Sequence, residues 1–450
     1  MKLDRRSFLQ GAVLASLGAA GCRSLGWGGA AKGAPMMGFA APEMEKVRIG
    51  VIGIGARGGG AVSRLIRVPG AEVVGLGDVH EERVTAQLAK FEAGKKAQPK
   101  QLSYGSDDAW KRLCEAPDID LIYITSPWKW HTPMAVYAMQ CGKHAVCEVP
   151  AALSLDECWQ LVDTSEQTRR HCMMLENCCY GFNEMLALNM CRQNVFGTLV
   201  HGEGAYIHER LNSLLAPKKY PSDSWRREWA LHHNGTPYPT HGLGPICKCM
   251  NVHCGDRMTR LTSMSSNQFG LTEYCKEKFG PDSMEAGLVY QKGDMNITSI
   301  RTQLGRTIMM QHDTTSRRPY SRINLISGTR GLLADYPLRI ALEPSTHDWL
   351  KPEEQTKTVE KYTHPLWAKS GAAALAAGGH GGMDFLMDLR LMHCLTKGLP
   401  LDMSVYDAAA WSSIVDLSER SVRSGSDGIN IPDFTRGAWQ TTKPRDIDMG

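Results

Sequence analysis

Three glycines near residue 50 have the spacing of a nucleotide-binding turn. Gly53, Gly55 and Gly58 directly follow Val47–Ile52, an apolar run typical of a parallel strand buried on both faces. The first glycine permits the tight turn, the second lets the backbone approach a pyrophosphate, and the third allows close helix packing. The N-terminus of the following helix supplies unpaired N–H groups. The pattern therefore indicates a dinucleotide site.

An acidic residue ends the second predicted strand. Residues 72–77 form another apolar run, and Asp78 follows it. A carboxylate at this place accepts hydrogen bonds from the adenosine ribose and repels a phosphate, so the sequence favours NAD over NADP. A structural aspartate at the end of a strand is the alternative.

A second group of residues suited to chemistry lies between residues 224 and 245. Trp225 and Arg226 suit a sugar, because an indole face stacks on C–H groups and a guanidinium reaches hydroxyl or carbonyl oxygens. Tyr238 and His241 follow in a segment dense in proline and glycine, which predicts a rigid loop. An imidazole transfers protons near neutral pH, and Tyr238 is its acid or base partner if neighbours lower the pKa of the phenol. Taken singly, each residue is also compatible with packing or a solvated surface.

Alternating strand and helix signals predict the fold that positions the first group. The buried strand 120–125 and the strand-plus-turn 143–150 flank a helix. The alternation predicts an N-terminal α/β Rossmann domain with a doubly wound parallel sheet. Its loops at the carboxyl ends of the strands should converge on the cofactor; they are 53–58, 125–131 and 148–150.

The pattern changes after Tyr180. Five alternating segments predict a C-terminal α+β domain with a mostly antiparallel sheet. Residues 383–392 and 404–423 have helical periodicity, and the Gly/Ala-rich 371–382 predicts a mobile loop. The five predicted strands are 199–207, 286–291, 295–303, 306–312 and 322–327.

The first residues predict export. Arg5 and Arg6 precede an apolar run that is too short to span a bilayer, which is typical of a twin-arginine leader. The expected location is the periplasm or cell envelope, where no NAD pool exists, so the cofactor should stay bound. Gly21-Cys22 resembles a lipoprotein processing site, and both a lipid anchor at Cys22 and its absence stay open. The expected division is signal and linker 1–45, NAD-binding domain 46–178, substrate domain 179–430 and tail 431–450.

The charge balance excludes a nucleic-acid-binding protein, and the cysteine pattern favours free thiols over a metal site. The chain has 51 basic and 47 acidic residues, but five basic and one acidic lie in residues 1–40, so the rest is balanced and no nucleic-acid partner is predicted. Fourteen cysteines, scattered singly, indicate mostly buried free thiols. A metal site at Cys247-x-Cys249 with His253-Cys254 is the weaker alternative because its spacing fits no standard zinc pattern. No metal is predicted.

Several motifs together resemble the Gfo/Idh/MocA oxidoreductases: the glycine turn, a strand that leads to Pro127 and His131, and the turn Glu148-Val149-Pro150. Members ordinarily carry lysine in the middle of that turn, where it assists proton removal from the sugar. Val149 puts simple dehydrogenase activity in doubt. The run Tyr238–Pro245, the valine and the leader closely resemble glycosyl hydrolase family 109, a group of NAD-dependent α-N-acetylgalactosaminidases.

The resemblance implies a mechanism and an assembly. NAD takes hydride from C3 of a terminal α-linked N-acetylgalactosamine (α-GalNAc), the ketone acidifies the C2 proton, and loss of that proton expels the aglycone at C1. Water then adds and hydride returns to C3. The net reaction is hydrolysis, an exception to the two-carboxylate scheme. Family members often associate as dimers, so a homodimer is expected.

Residue chemistry and resemblance together give the expected site, in which His131 and Tyr206 also stay open to a structural role. The catalytic residues are His241, Tyr238 and Tyr320. The substrate contacts are Tyr206, Arg226, Tyr238, Pro239, Thr240, His241 and Tyr320. The cofactor contacts are Gly53, Gly55, Ala56, Arg57, Gly58, Asp78, Trp128, Lys129, Trp130, His131, Glu148, Val149 and Asn177.

Two other functions remain open. One is an exported NAD-dependent sugar oxidoreductase, which would accumulate NADH during turnover. The other is a non-catalytic sugar-binding lipoprotein that keeps the nucleotide as a structural element, in which changes at His241 and Tyr238 would leave function unaltered.

Overall fold

The computed structural model describes residues 33–216, 218–345 and 347–449. The predicted leader and Cys22 lie outside these residues.

Six parallel strands form the first sheet. They are β1 (Val47–Ile52), β2 (Ala71–Gly77), β3 (Gln101–Ser103), β4 (Leu121–Ile124), β5 (His144–Cys147) and β6 (Cys172–Met174). The connecting helices are α1 (Ala56–Leu65), α2 (Glu81–Ala93), α3 (Lys111–Glu115), α4 (His131–Gln140) and α5 (Leu155–Thr168). The strand order β3-β2-β1-β4-β5-β6 reverses between β1 and β4, which opens a crevice at the carboxyl ends of these strands. The predicted Rossmann domain is confirmed.

Eight strands form the second sheet, in the C-terminal half. They are β7 (Leu199–Ile207), β8 (Met258–Ser265), β9 (Met295–Thr302), β10 (Thr307–Asp313), β11 (Leu325–Gly328), β12 (Gly331–Ala334), β13 (Arg339–Leu342) and β14 (Ile429–Asn430). Their order is β13-β12-β11-β7-β10-β9-β8-β14. Within the described residues of this second sheet, β7–β10 is the one parallel pair of strands. The mostly antiparallel sheet is therefore confirmed.

The remaining helices pack on this sheet and between the two halves. They are α6 (Phe182–Arg192), α7 (Leu211–Leu215), α8 (Trp225–His232), α9 (Thr240–Cys249), α10 (Gly270–Phe279), α11 (Met284–Gly287), α12 (Pro352–Tyr362), α13 (Pro365–Ala377), α14 (Met383–Thr396) and α15 (Val405–Arg423). Helix α15 contacts β6 of one sheet and β8 of the other. It starts at the capping residue Ser404, whose side chain accepts a hydrogen bond from the Asp407 N–H.

The structure corrects the predicted loop around His241. Residues from Thr240 onward form helix α9, which packs closely on β7. A Cβ atom added at Gly204 of β7 would lie 2.6 Å from the carbonyl oxygen of Gly242. The glycines are there because two backbones approach each other, and they do not interrupt the helix.

Two further predictions were wrong. Residues 371–377, predicted as part of a mobile loop, belong to helix α13, since the alanines are strong helix formers and the helix ends only at Gly378, with φ +74°. Residues 286–291, predicted as a strand, contain the end of α11 and irregular backbone. That short helix begins after Ser283, whose side chain accepts a hydrogen bond from the Ala286 N–H at 3.2 Å.

Segments outside the two sheets also lie on the folded body. The Met36 N–H donates to the Tyr406 hydroxyl at 2.9 Å, and the Met44 N–H donates to the Leu395 carbonyl at 3.3 Å. Phe434, in the predicted tail, is buried. Twelve cysteines among the described residues are free thiols, most of them buried. Within the same residues, no helix combines the length and hydropathy needed to cross a membrane.

Candidate active site

The glycine turn has the shape that a pyrophosphate needs. Gly53 has φ +87°, and a Cβ atom there would lie 2.5 Å from the Ser126 nitrogen. A Cβ atom at Gly58 would collide with the Gly53 carbonyl. At Gly55 the nearest atom to an added Cβ is Nη1 of Arg83, 3.8 Å away, so the backbone faces open space. The residues present therefore fit a dinucleotide at the N-terminus of α1.

Two predicted cofactor residues, Arg57 and Asn177, meet at Asp384, a carboxylate that the sequence reasoning missed, and a third, Glu148, pairs with Arg57. Arg57 donates from Nε to Glu148 at 2.5 Å and from Nη1 to Asp384 at 2.8 Å. Asn177 donates from Nδ2 to Asp384 at 2.5 Å. Because two carboxylates occupy the Arg57 guanidinium, a contact of Arg57 with the pyrophosphate falls to its backbone N–H.

A second layer of charge supports this cluster. Arg64 donates from Nε to Asp388 at 2.9 Å, and its Nη1 lies 3.5 Å from Asp384. The hydroxyl of Tyr123 donates to Asp388 at 2.9 Å. Burial alone would raise the pKa of Asp384, but His380, Arg57 and Arg64 together hold that pKa far below its usual range. Asp384 therefore stays charged at neutral pH.

The loop after β4 is tied to the turn after β5. The indole N–H of Trp128 donates to the Val149 carbonyl at 3.0 Å. His131 lies between the carbonyl oxygens of Pro150 and Ser126, 2.7 and 2.8 Å from its two ring nitrogens. Burial lowers the pKa of this fully enclosed histidine. Its contacts join two cofactor loops, which favours the structural role. Lys129 is exposed, 5.6 Å from the Trp130 ring centroid.

His241 is paired with a buried carboxylate. Its Nδ1 lies 2.7 Å from Oε1 of Glu176, which is fully buried and also accepts a hydrogen bond from the Cys178 N–H at 3.1 Å. Burial would raise the pKa of Glu176, but His241 and the Thr240 hydroxyl hold it below its ordinary value. The carboxylate is thus charged and accepts a hydrogen bond from Nδ1–H, which leaves Nε2 as the nitrogen that can accept a proton from a ligand.

Sequence reasoning missed Glu176 and Asp384, although both carried a signal. Glu176 directly precedes Asn177 at the carboxyl end of β6, the edge where site residues collect. Asp384 and Asp388 are spaced four apart in the otherwise apolar start of α14, which is unusual for a core helix.

The predicted tyrosines surround His241. The ring of Tyr238 lies 4.8 Å from that of His241 and 4.5 Å from that of Tyr206, centroid to centroid. Arg210 donates to the Tyr206 hydroxyl at 3.2 Å. Removal from water raises the pKa of Tyr238 well above its usual value, and Tyr206 and Glu148 add to this rise. The lowered pKa that a base would need is absent, so Tyr238 keeps its proton at neutral pH and can act only in its acid form.

Tyr320 lies at the mouth of the cleft, where it is 42% exposed. Its hydroxyl accepts a hydrogen bond from Arg322 at 2.8 Å, and His208 connects its ring to Tyr206 through ring contacts of 5.3 and 4.8 Å. Burial raises the pKa of Tyr320 as well. The structure thus brings Tyr320 to the same cleft, with the rings of His208 and Tyr206 between it and His241.

Arg226 reaches into the cleft over tryptophan rings. Its guanidinium carbon lies 4.0 Å from the Trp225 ring centroid and 5.7 Å from that of Trp128. Among the described residues it has neither a hydrogen bond nor an ion pair. This arrangement fits the expected sugar contact. Pro239 and Thr240 are buried, so their side chains lie behind the cleft surface.

A cavity lies beside Tyr206, behind the surface of the cleft. Its wall is apolar at Leu214, Trp229 and Leu271 and polar at Lys292 and Thr315. Burial lowers the pKa of Lys292 to about 8, against the opposing effect of Asp313 and Asp294. The cavity therefore combines an apolar wall with a buried cation.

The alternative metal site is not assembled. Within the described residues, Cys247, Cys249, His253 and Cys254 do not bring three ligand atoms together. The ring of His253 instead pairs through Nδ1 with Asp407 at 3.0 Å. Among the described residues, the three side chains that do converge are Glu176, Cys178 and His241. Glu176 pairs with the His241 ring, and the Cys178 thiol donates to Oδ1 of Asn177 at 3.6 Å.

Comparison with protein families divides the chain as the fold does. Residues 47–176 match the oxidoreductase family with an NAD-binding Rossmann fold, and residues 180–441 match the C-terminal domain of glycosyl hydrolase 109. The chain belongs to glycosyl hydrolase family 109. This family 109 protein is an NAD-dependent glycoside hydrolase.

Curated relatives match over nearly the whole chain. A glycosyl hydrolase family 109 protein of Shewanella pealeana is 46% identical over 459 residues, which cover 99% of each chain. An alpha-N-acetylgalactosaminidase of Bacteroides fragilis is 47% identical over 409 residues, covering 90% of this chain and 96% of that protein.

Solved structures with low sequence identity share the fold. Levoglucosan dehydrogenase in complex with NADH and levoglucosan has a TM-score of 0.64 at 17% identity, covering 86% of this chain and 100% of that chain. An NAD-binding oxidoreductase of Klebsiella pneumoniae has a TM-score of 0.66 at 17% identity, with 87% and 100% covered.

Proposed function

We propose that this protein hydrolyses terminal α-linked N-acetylgalactosamine through oxidation, elimination, addition and reduction, with one NAD that stays bound. The observation that carries the proposal is the group Glu176, His241 and Tyr238. It places a base and an acid beside the Trp128 loop, while Val149 stands where a dehydrogenase carries its lysine. The group thus offers proton donors and acceptors for carbon and oxygen atoms of a sugar. The lysine that would deprotonate the alcohol in a dehydrogenase is missing.

When bound, the nicotinamide supplies the hydride chemistry at C3 of the sugar. The chain's own residues move the protons. Nε2 of His241 takes the proton from C2, which the adjacent ketone has acidified, and Glu176 stabilises the resulting imidazolium. Tyr238, whose raised pKa keeps its proton in place, donates it to the leaving glycosidic oxygen. Water then adds across C1 and C2: its oxygen bonds to C1, its proton goes to the Tyr238 phenolate, and His241 returns a proton to C2. Once hydride has returned to C3, the products are the free sugar and the alcohol.

The substrate class is supported by the relatives and by the cleft. The Bacteroides fragilis relative is named alpha-N-acetylgalactosaminidase and is 47% identical. Trp128, Trp225 and Arg226 offer stacking surfaces and a guanidinium for a sugar ring. The cavity beside Tyr206 offers an apolar wall and hydroxyls, which suit the methyl and amide groups of a 2-acetamido substituent.

The test is hydrolysis of a chromogenic α-GalNAc glycoside in deuterated water without added NAD. The proposal expects product release, constant absorbance at the nicotinamide band, and deuterium at C2 of the released sugar. Release without deuterium at C2 would contradict the elimination route. Absence of release, even with NAD supplied, would contradict the activity. Stoichiometric NADH accumulation would favour the alternative, a sugar oxidoreductase.

We further propose export by the twin-arginine route to the periplasm or cell envelope, with Cys22 as the anchor if the chain is lipidated, and assembly as a homodimer. Arg5, Arg6 and Gly21-Cys22 support the first two. Mass spectrometry of protein from its native envelope tests the N-terminus and lipid. Sedimentation of the same sample tests the dimer.

A further inference from the structure

A segment of the substrate domain is fastened to the nucleotide domain next to Asp78. We call residues 218–224 the adenosine strap. The ring of Tyr220 is stacked on that of His80, with centroids 3.5 Å apart and planes 13° apart. Asp223 accepts a hydrogen bond from Nη2 of Arg83 at 2.6 Å. Lys219 forms an exposed ion pair with Glu82.

Arg83 places the adenosine strap at the cofactor. Its Nη1 lies 3.8 Å from Oδ1 of Asp78, the carboxylate assigned to the adenosine ribose. The same Nη1 lies 3.8 Å from the Cβ position of Gly55, where the backbone is open to the pyrophosphate. The guanidinium carbon also lies 4.8 Å from the Tyr220 ring centroid. Arg83 thus stands between the two parts of the adenosine site, and strap residues hold it there.

His80 brings a second side chain to the same place. Its backbone N–H donates to Asp78 at 3.0 Å, so the residue directly adjoins the ribose carboxylate. Its ring is covered on one face by Tyr220. The strap residue Tyr220 therefore covers both His80 and Arg83, the two residues that border Asp78.

We propose that the adenosine strap forms the outer wall of the adenosine site and retains NAD between turnovers. The Tyr220–His80 stack and the Asp223–Arg83 ion pair must open before the nucleotide leaves, which slows its release. A dehydrogenase that must exchange its cofactor in every turnover would be limited by such a closure. An enzyme that regenerates NAD within each turnover is not limited by slow release. The inference rests on the proposed function, because it requires that the cofactor return to its starting state in each turnover.

The test measures bound nucleotide directly. Full-length protein loaded with NAD is diluted into buffer with an excess of fluorescent etheno-NAD, and the rate of exchange is followed. Tyr220→Ala and Asp223→Asn are expected to speed NAD release by about tenfold each, the size expected for a lost aromatic stack or a lost charged contact. Tyr220→Phe keeps the stack and should release NAD at close to the parent rate.

Glu277→Gln is the control outside the strap. Its ion pair with Arg317 is exposed, so release should change by less than about twofold. Thermal unfolding of the NAD-free variants should coincide with that of the parent, which shows that the fold is intact. Parental release from Tyr220→Ala, or equal acceleration by Glu277→Gln, would overturn the proposal.

The outcome is separate from that of the glycosidase proposal. A protein that holds NAD and releases it faster in the strap variants, yet does not cleave α-GalNAc glycosides, contradicts only the proposed function. A protein that cleaves them, while its strap variants release NAD at the parent rate, contradicts only the strap.

Discussion

Charged and polar groups on the two sides of the cleft are partnered in opposite ways. On the nucleotide side, Arg57 and Arg64 meet the carboxylates of Glu148, Asp384 and Asp388 at hydrogen-bond distance or close to it.

On the substrate side, Arg226 has no hydrogen bond or ion pair among the described residues. Buried ring nitrogens of His208 and His312 also lack a hydrogen-bond partner there. Burial lowers the pKa of His208 to about 4, so this ring is neutral at pH 7. Unpartnered polar groups away from water cost free energy, and a polar ligand such as a sugar recovers it. The comparison indicates that the protein itself pairs the arginine and carboxylate charges of the nucleotide side, where Nη2 of Arg64 and Nε2 of His80 are without a partner among the described residues, whereas Arg226 on the other side is left for substrate.

The largest expected effect is on the substrate side. His241→Ala removes the proposed base and should lower kcat by about 10²–10⁴-fold, the range for loss of a general acid or base. Bound NAD should stay as in the parent, whereas the melting temperature should fall, because the buried Glu176 carboxylate loses its partner. The measurement is steady-state hydrolysis with nucleotide quantified after gel filtration. Near-parental kcat would remove His241 from the mechanism.

On the nucleotide side, Asp384→Asn should affect stability first. The change leaves Arg57 and Arg64 without a shared buried charge partner, which should lower the free energy of unfolding by about 3–5 kcal/mol. Urea denaturation of the NAD-free protein measures it. Glu277→Gln, which removes an exposed partner of Arg317, is the control and should leave stability unchanged. Equal effects of the two variants would contradict the comparison.

Glu176 connects the two sides and is expected to act through His241. Glu176→Gln keeps a hydrogen-bond acceptor but removes the charge, so kcat should fall by about 10–100-fold, as for other partners that orient a functional histidine. The acid limb of the kcat/KM profile should move to lower pH, because the imidazolium loses an adjacent negative charge. An unchanged pH profile would leave Glu176 with a purely structural role.

The smallest effect concerns the cavity. The pKa of Lys292 is lowered to about 8, so the cavity carries this charge below pH 8 and loses it above. We expect KM to change a few-fold between pH 7 and 9, and the step should vanish in Lys292→Met. Stability should also rise between about pH 8 and 10.5, where the unfolded chain still binds the proton that the folded chain has released. If Lys292→Met keeps the pH dependence of KM, a group other than Lys292 causes it.

Local signals account for what was predicted correctly. The glycine turn follows its strand directly, and Asp78 ends the next strand, so both could be read within 30 residues. Helix α9 was misread because its glycines serve contacts with β7, which is remote in sequence. Asp384 was missed because the helix α14 shows an apolar stripe typical of a core helix, and the partners Arg57 and Asn177 are remote in sequence.

The sequence by itself determined the nucleotide turn, the choice of cofactor, the two-domain order and the members of the aromatic set, since each depends on residue type and short spacing. Only the tertiary structure decided which charges meet. Arg57 and Asp384 are 327 positions apart, and Glu176 and His241 are 65 positions apart. Pairing over such separations is fixed by how the two sheets and α14 pack, because burial selects the partner that neutralises each charge.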